Sequence, residues 1–498
     1  MPLVCLSLTG RTLAGDLAAL DRYRDKIDIA ELRADYLDPA EVFAIRGFPE
    51  RAGVPCILAV RRKSDGGGFT DGEGARLVIL AKALAYASPD KNANFAYVDL
   101  ECDFRVPSVE EAARTFGTKI IRSCHDMTGL PADLDAAWAD LAAEPGEIPK
   151  LAVTPRGAAD FARLVSWATT LPPGERIVIG MGEFGLPSRV LAERLGSSIA
   201  YTSALYAGLP VAASGHLDPA ALESQYRFRE ISKDTEVYAL GGSRSVVSSK
   251  APALHNAAFR SAGIDAVYVP VPADDAPSLF AALEAVEARG AAITVPLKEA
   301  ILPLLSRRSR AVDEIGACNT LVREADGWSG HNTDVIGFER SLLEFLGRKD
   351  LKGQRATIVG AGGAAKAVAH VLSRLGATAL VLNRTLPKAR ELARRYGFAF
   401  GPLAEHATSL IADHSDIIIQ ATCVGMESEA RGDPLDWYEF TGREAVFELI
   451  YRPDHTALLD RARAAGCRAT NGWQMLRYQS AAQYKIWTGR EPPESYFS

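Results

Sequence analysis

Up to about residue 220, short apolar β-rich runs alternate with helix-length amphipathic segments, and eight such runs stand out: 3–8, 27–33, 55–61, 95–101, 118–124, 149–154, 176–181 and 198–203. Eight βα units close a parallel sheet on itself. The pattern therefore predicts an α/β fold beginning with a (β/α)8 TIM barrel, whose active site lies where the strands end and the βα loops begin. Polar residues fall at those ends: Glu31 and Arg33 close the second run, Arg61 the third and Glu101 the fourth, while His125 follows the fifth and Lys150 opens the sixth.

A chain of 498 residues is too long for one core. The polar stretch QYRFREISKDTE precedes a fresh strand at 237–240, and the strand-turn-helix ATIVGAGGAAKAVAHVL at 356–372 starts a second βαβ series. The expected domains are 1–228, 236–340 completed by the C-terminal helix in 472–498, and 345–471. A net charge of -6 with 24% charged residues offers no general attraction to nucleic acid or to an anionic membrane, so a small anionic ligand needs local basic groups. The seven cysteines are scattered and never in a CxxC pair, which argues against a disulfide framework or a zinc site and for reduced thiols. With no leader pattern and no apolar stretch of membrane-spanning length, the expectation is a cytoplasmic protein.

A lysine inside the apolar strand IPKLAVTP is costly to bury charged. Desolvation favours its free amine, which makes Lys150 a candidate imine former; the bland alternative is a strand-edge lysine reaching water. His125, in RSCHDM on the neighbouring run, is placed to move protons in the same bowl, although a lone histidine is more often structural. Glu31 and Arg33 in ELRADY, Arg61 and Asp65 in AVRRKSDGG, and Arg189 in PSR add charged groups to the barrel mouth. In this order and spacing the segments resemble type I 3-dehydroquinate dehydratase over residues 1–225. The resemblance implies that Lys150 forms an imine with a substrate ketone and that His125 removes a C2 proton and assists loss of water. It also implies that Glu31, Arg33, Arg61 and Arg189 bind substrate and that Asp65 orients the histidine. The substrate loop after the eighth run departs from the family, with Ala212 and His216 where serine and glutamine are usual.

In the second half, Gly360, Gly362 and Gly363 occupy a strand-to-helix turn suited to a pyrophosphate, and LVLNRT ends the next strand with Asn383, Arg384 and Thr385 where a fold preferring NAD carries an acid. That favours NADP. Lys298 in TVPLK and Asp334 in GHNTD suit a proton relay to a carbonyl oxygen, or else form a surface salt bridge. The ordered segments VPLK, GACNTL, GHNTD, GAGGA, NRT, ATCVGM and GWQMLRYQ resemble shikimate dehydrogenase over about 236–498. This implies Lys298 and Asp334 as the catalytic pair and Ser249, Asn319, Thr333, Tyr451 and Gln479 as substrate-binding. Gly360, Ala361, Gly362, Gly363, Ala364, Asn383, Arg384, Thr385, Thr422, Gly472 and Met475 then bind the cofactor. The family's serine-lysine-serine motif reads SSKAP here: Ser249 fits the first serine, Ala251 replaces the second, and Ser245 or Ser248 is the candidate substitute.

The two resemblances explain each other, because one family's product is the other's substrate. The leading reading is a tandem of 3-dehydroquinate dehydratase and shikimate dehydrogenase, acting on 3-dehydroquinate, 3-dehydroshikimate and shikimate with NADP. The alternatives are a non-catalytic quinate-responsive sensor, which should have lost its catalytic residues, and a dehydrogenase half that prefers quinate.

Overall fold

The structure, a computed structural model, describes residues 1–85, 88–205, 209–427 and 432–497. By its contacts the chain divides into one unit of Met1–Val237 with Asp265–Asp274 and Ser278–Glu287, and a second unit of the remaining described residues. Among the described residues no helix is long and apolar enough to cross a membrane.

In the first unit the eight expected runs are strands: β1 (Leu3–Leu8), β2 (Ile29–Arg33), β3 (Cys56–Ala59), β4 (Tyr97–Glu101), β5 (Lys119–Asp126), β6 (Ile148–Val153), β7 (Ile177–Gly180) and β8 (Ile199–Ser203). They form one parallel sheet in the order β7-β6-β5-β4-β3-β2-β1-β8. The remaining seam, between β7 and β8, is tied where these strands begin: Ser198 N donates to Arg176 O at 2.7 Å and Val178 N to Ser197 Oγ at 2.8 Å. Alternation sends Cys5, Ile29, Ile57, Ile121, Ile148, Ile177 and Tyr201 into a common buried cluster, so branched side chains fill the barrel as a core. Helix starts are set locally. Thr12, Asp133 and Asp218 each accept a hydrogen bond from a first-turn N–H of the helix they precede. Two boundaries differ usefully from the sequence reading. β5 runs on through Asp126, so His125 belongs to the strand itself, and β3 stops at Ala59, leaving Arg61 just past its end.

The second unit contains two sheets. One carries strand Ala288–Ile293 antiparallel to Thr320–Glu324, which turns back as a hairpin onto Gly327–His331. The other is wholly parallel, in the spatial order 399–402, 378–383, 355–359, 417–420, 445–448 and 468–470. Numbered along the chain that is 3-2-1-4-5-6, the doubly wound arrangement that leaves a crevice beside its first strand. The C-terminal helix Trp473–Thr488 packs on helix Asp334–Leu346. Their close crossing requires a glycine: a Cβ at Gly337 would lie 2.8 Å from Met475 O and 2.9 Å from Gln479 Cβ.

Candidate active sites

At the mouth of the barrel one cavity is lined by Glu31, Arg33, Arg61, Asp65, His125, Lys150 and Arg189, together with Ser7, Tyr201, Ala212 and His216. All seven residues expected from the sequence are thus gathered in one place. Lys150 is third in β6 and pairs in register with Ser123 of β5, which turns both inward. Its Nζ donates to Asp99 Oδ2 at 2.8 Å. The same carboxylate meets Arg61 Nη2 at 2.8 Å and accepts from Ser123 Oγ at 2.5 Å, while Arg61 Nη1 reaches Glu101 at 2.7 Å. Burial opposes ionisation of Asp99, but the adjacent Arg61 and Lys150 cations overcome it and hold the carboxyl well below its usual range. Lys150 is only 3% exposed. It is not a strand-edge lysine reaching water.

His125 is held well below the usual imidazole range, first by burial and then by the Arg61 and Lys150 charges, so near neutral pH it is an uncharged base. Its Nδ1 has no hydrogen-bond partner among the described residues. Asp65 lines the same cavity, and its Oδ2 accepts from Arg62 Nε at 2.7 Å and Ser64 Oγ at 2.9 Å. Glu31 accepts from Ser7 Oγ at 2.6 Å, and Arg33 forks onto Asp35 at 2.9 and 2.8 Å. Arg189 is different. It is buried, with Nη1 donating to Tyr201 O at 3.3 Å and Nε without a partner among the described residues, and burial pulls it down to about 9. On the departing loop, His216 Nδ1 lies 2.6 Å from Ser203 Oγ, and the Ala212 N–H points to that same hydroxyl at 3.3 Å. Sequence reasoning missed Asp99 and Tyr201. The signal for Asp99 was there, since it shares the strand phase of Glu101 in YVDLE.

In the second unit, Lys298 lies on the short helix Leu297–Ala300 and Asp334 opens helix Asp334–Leu346. Lys298 Nζ reaches Asp334 Oδ2 at 2.5 Å, and Asp334 is 1% exposed, which removes the surface salt-bridge reading. Asn319 Nδ2 donates to Asp334 Oδ1 at 2.9 Å and to Thr333 Oγ1 at 3.0 Å, and Gln479 Oε1 lies 3.3 Å away. Thr333 N returns a bond to Asn319 Oδ1 at 2.7 Å. Three of the expected substrate-binding residues, Asn319, Thr333 and Gln479, thus form one network around the Lys298–Asp334 pair. Ser249 Oγ lies 3.2 Å from Tyr451 OH and accepts from Ala251 N at 3.1 Å. Of the two candidate substitutes for the missing serine, Ser245 bonds Ser243 at 2.7 Å, and Ser248 is exposed with its hydroxyl on Ser245 O at 3.0 Å.

The glycine-rich turn follows strand Arg355–Val359. Gly360 has φ 118°, a conformation open to glycine, and a Cβ there would approach Ala421 O at 3.1 Å. Helix Gly363–Arg374 begins without a side-chain cap, leaving its first N–H groups for an anion. Gly363 sits against the other lobe: its Cβ would lie 3.0 Å from Lys298 Cβ. Ala361 is buried in the turn and Ala364 is half-buried in the first helical turn. Asn383 ends the next strand, its Nδ2 donating to Thr385 O at 3.0 Å, with Arg384 and Thr385 exposed beside it. Thr422 is held through its N–H by Gln420 Oε1 at 2.7 Å. Gly472 passes so close to Leu449 that a Cβ would fall 2.0 Å from Leu449 O, and it starts the helix that carries both Met475 and Gln479. The uncapped helix start, the glycine cradle and an exposed Arg384 in place of an acid fit a phosphorylated dinucleotide.

A barrel with a buried lysine, followed by a two-lobed nucleotide-binding fold, defines a chain of two enzyme domains in tandem. Family models agree along its length: type I 3-dehydroquinase matches residues 4–233, the shikimate dehydrogenase substrate binding domain 243–321, shikimate / quinate 5-dehydrogenase 344–426, and the shikimate 5'-dehydrogenase C-terminal domain 472–497. The bifunctional 3-dehydroquinate dehydratase/shikimate dehydrogenase of Arabidopsis thaliana, a chloroplastic protein, is 29% identical over 493 residues, covering 94% of this chain and 79% of that one. The NADP(+) shikimate dehydrogenase of Halothermothrix orenii is 38% identical over 255 residues, 49% of this chain and 88% of its own. That of Moorella thermoacetica is 40% identical over 275 residues, 53% and 92%. The chain belongs to the shikimate dehydrogenase family, with a type I 3-dehydroquinase domain as its first half.

Proposed function

We propose that the chain dehydrates 3-dehydroquinate to 3-dehydroshikimate in its barrel and reduces that product to shikimate in its second unit, with NADPH as reductant. The single observation that carries this reading is that both catalytic pairs are intact and gathered: Lys150 with His125 in one cavity, and Lys298 with Asp334 in one network. A sensor without turnover would have no reason to keep four such groups. The assigned extents are 1–228 for the dehydratase, 236–340 with 472–498 for the substrate lobe, and 345–471 for the nucleotide-binding domain. The protein acts on small molecules in the cytoplasm.

In the barrel, the Lys150 nitrogen attacks the ketone carbon, the carbonyl oxygen leaves as water, and a protonated imine results. Asp99 orients the nitrogen and balances its charge. Uncharged His125 takes a proton from the carbon next to the imine, and the electron pair moves toward the iminium nitrogen. The same imidazole then returns a proton to the departing hydroxyl, which leaves as water, and hydrolysis of the imine frees Lys150. Arg189, with no anion of its own, receives the substrate carboxylate.

In the second unit, NADPH supplies the hydride for the carbonyl carbon when it is bound. Lys298 holds a proton for the carbonyl oxygen, and Asp334, fixed by Asn319, orients Lys298. Ser249, Tyr451 and Gln479 bind substrate oxygens. Gly360 to Ala364 and Thr422 shape the phosphate and nicotinamide cradle with Gly472 and Met475, and Asn383, Arg384 and Thr385 take the 2'-phosphate. Borohydride added with 3-dehydroquinate should leave a reduced adduct on Lys150, and Lys298→Met should slow NADPH oxidation roughly 10²- to 10⁴-fold while sparing dehydration. An adduct on a different lysine, or an unaffected Lys298→Met rate, counts against these assignments.

A further inference from the structure

Tyr201 is the one phenol among the described residues that line the barrel cavity, and none of the roles above uses it. It belongs to β8 and pairs in register with Cys5 of β1, which turns it into the barrel interior. The residue is 4% exposed, and its hydroxyl has no hydrogen-bond partner among the described residues. A buried hydroxyl without a partner is costly, and such groups are kept where something else engages them. Its ring has a definite neighbour: Lys150 Nζ lies 4.1 Å from the ring centroid, within the range in which an aromatic face stabilises a cation. Burial, and then the Glu31 carboxylate, push the phenol well above its usual range, so the hydroxyl keeps its proton and can donate.

We propose that Tyr201 is a further substrate-recognition and positioning residue of the barrel: its ring steadies the positive nitrogen of Lys150 and of the iminium made from it, and its hydroxyl donates a hydrogen bond to a substrate oxygen. The proposal rests on the dehydratase reading. A substrate joined to Lys150 through its ketone carbon is held next to this ring, and a polyhydroxylated carboxylate brings several oxygens into reach of the phenol. The ring acts on the positive charge of the iminium, whereas the hydroxyl acts on substrate binding. The two contributions therefore separate in the kinetics.

Tyr201→Phe keeps the ring and removes only the hydroxyl. It should raise KM for 3-dehydroquinate roughly three- to tenfold, the effect of one neutral hydrogen bond, with kcat changed less than about twofold. Tyr201→Leu removes the ring as well, and should in addition lower kcat and the fraction of Lys150 trapped by borohydride. NADPH oxidation with 3-dehydroshikimate, measured on the same preparations, should stay at the parent rate and reports that the second unit is folded, and a parental thermal melt of the barrel reports the first. A Tyr201→Phe variant with the parent KM overturns the hydroxyl's role, and a Tyr201→Leu variant with parental kcat and trapping overturns the ring's. A parent chain that forms no Lys150 adduct brings down the dehydratase reading and this proposal with it. Normal trapping in the parent beside an unaltered Tyr201→Phe sinks the proposal alone.

Discussion

Asp99 holds Lys150 and Arg61 on one carboxylate oxygen, each at 2.8 Å. The arrangement joins the nitrogen proposed to form the imine to a guanidinium proposed to bind substrate, through a group with no exposed side-chain surface. Each partner alone would be a buried charge in an apolar barrel. Together they are a fixed platform.

Asp99→Asn tests that platform. It keeps the shape but leaves Lys150 without its anion and Arg61 with Glu101 alone, and breaking a buried pair costs about 3–5 kcal/mol. Displaced by the lost contact, Lys150 should form its imine at least roughly 10²-fold more slowly. Thermal unfolding and the dehydratase kcat check both, with NADPH oxidation by the second unit as the internal control. A dehydratase rate within threefold of the parent would show that Lys150 is positioned by other contacts.

The His125 imidazole gives a pH prediction. Burial and two adjacent cations lower its proton affinity, so the basic form persists well below the ordinary histidine range. Dehydratase kcat/KM should therefore show no histidine limb near pH 6.5 and should fall only in more acidic solution. His125→Asn should lose about 10²- to 10⁴-fold in rate. An acid limb centred at or above 6.5 that disappears in the variant would contradict the account.

In the second unit, Glu448 has no exposed surface, and burial raises it from 4.5 to about 7; Thr456 Oγ1 donates to one oxygen at 2.5 Å, and the other oxygen has no hydrogen-bond partner among the described residues. The unfolded chain releases this proton near pH 4.5 and the folded chain only near 7. Stability is therefore lost as pH rises through that interval, and the loss is constant above it. Glu448→Gln removes the penalty while keeping an acceptor for Thr456. It should stabilise this unit by about 1–3 kcal/mol at pH 8 and by nothing measurable at pH 4.5 or below. Thermal melts at the two pH values decide it; equal shifts at both would show that Glu448 does not titrate in this window.

Much of this was legible in the sequence because parallel strands buried on both faces read as apolar runs, and the βα alternation repeats that signal eight times. Strand ends were less visible. Nothing in RSCHDM shows that pairing with β6 carries β5 past His125. Asp99 was hidden because YVDLE reads as an apolar strand closed by Glu101, and only the packed barrel shows both carboxylates facing inward onto Arg61. The ion pair between Asp65 and Arg62 was not visible either, because the sequence does not say which of the neighbouring cations a short side chain meets. In the second unit, GHNTD and GACNTL named residues that Asn319 joins into one network, yet their contact with Gln479 depends on the close crossing at Gly337.

The central claim is that one chain carries out two consecutive reactions. The most direct measurement mixes the purified protein with 3-dehydroquinate and NADPH and follows the enone absorbance together with NADPH. Both should change: the enone appears first, about one NADPH is then consumed per 3-dehydroquinate, and shikimate is the end product. Enone accumulation with no NADPH loss would contradict the second activity, and no change in either signal would contradict the account as a whole.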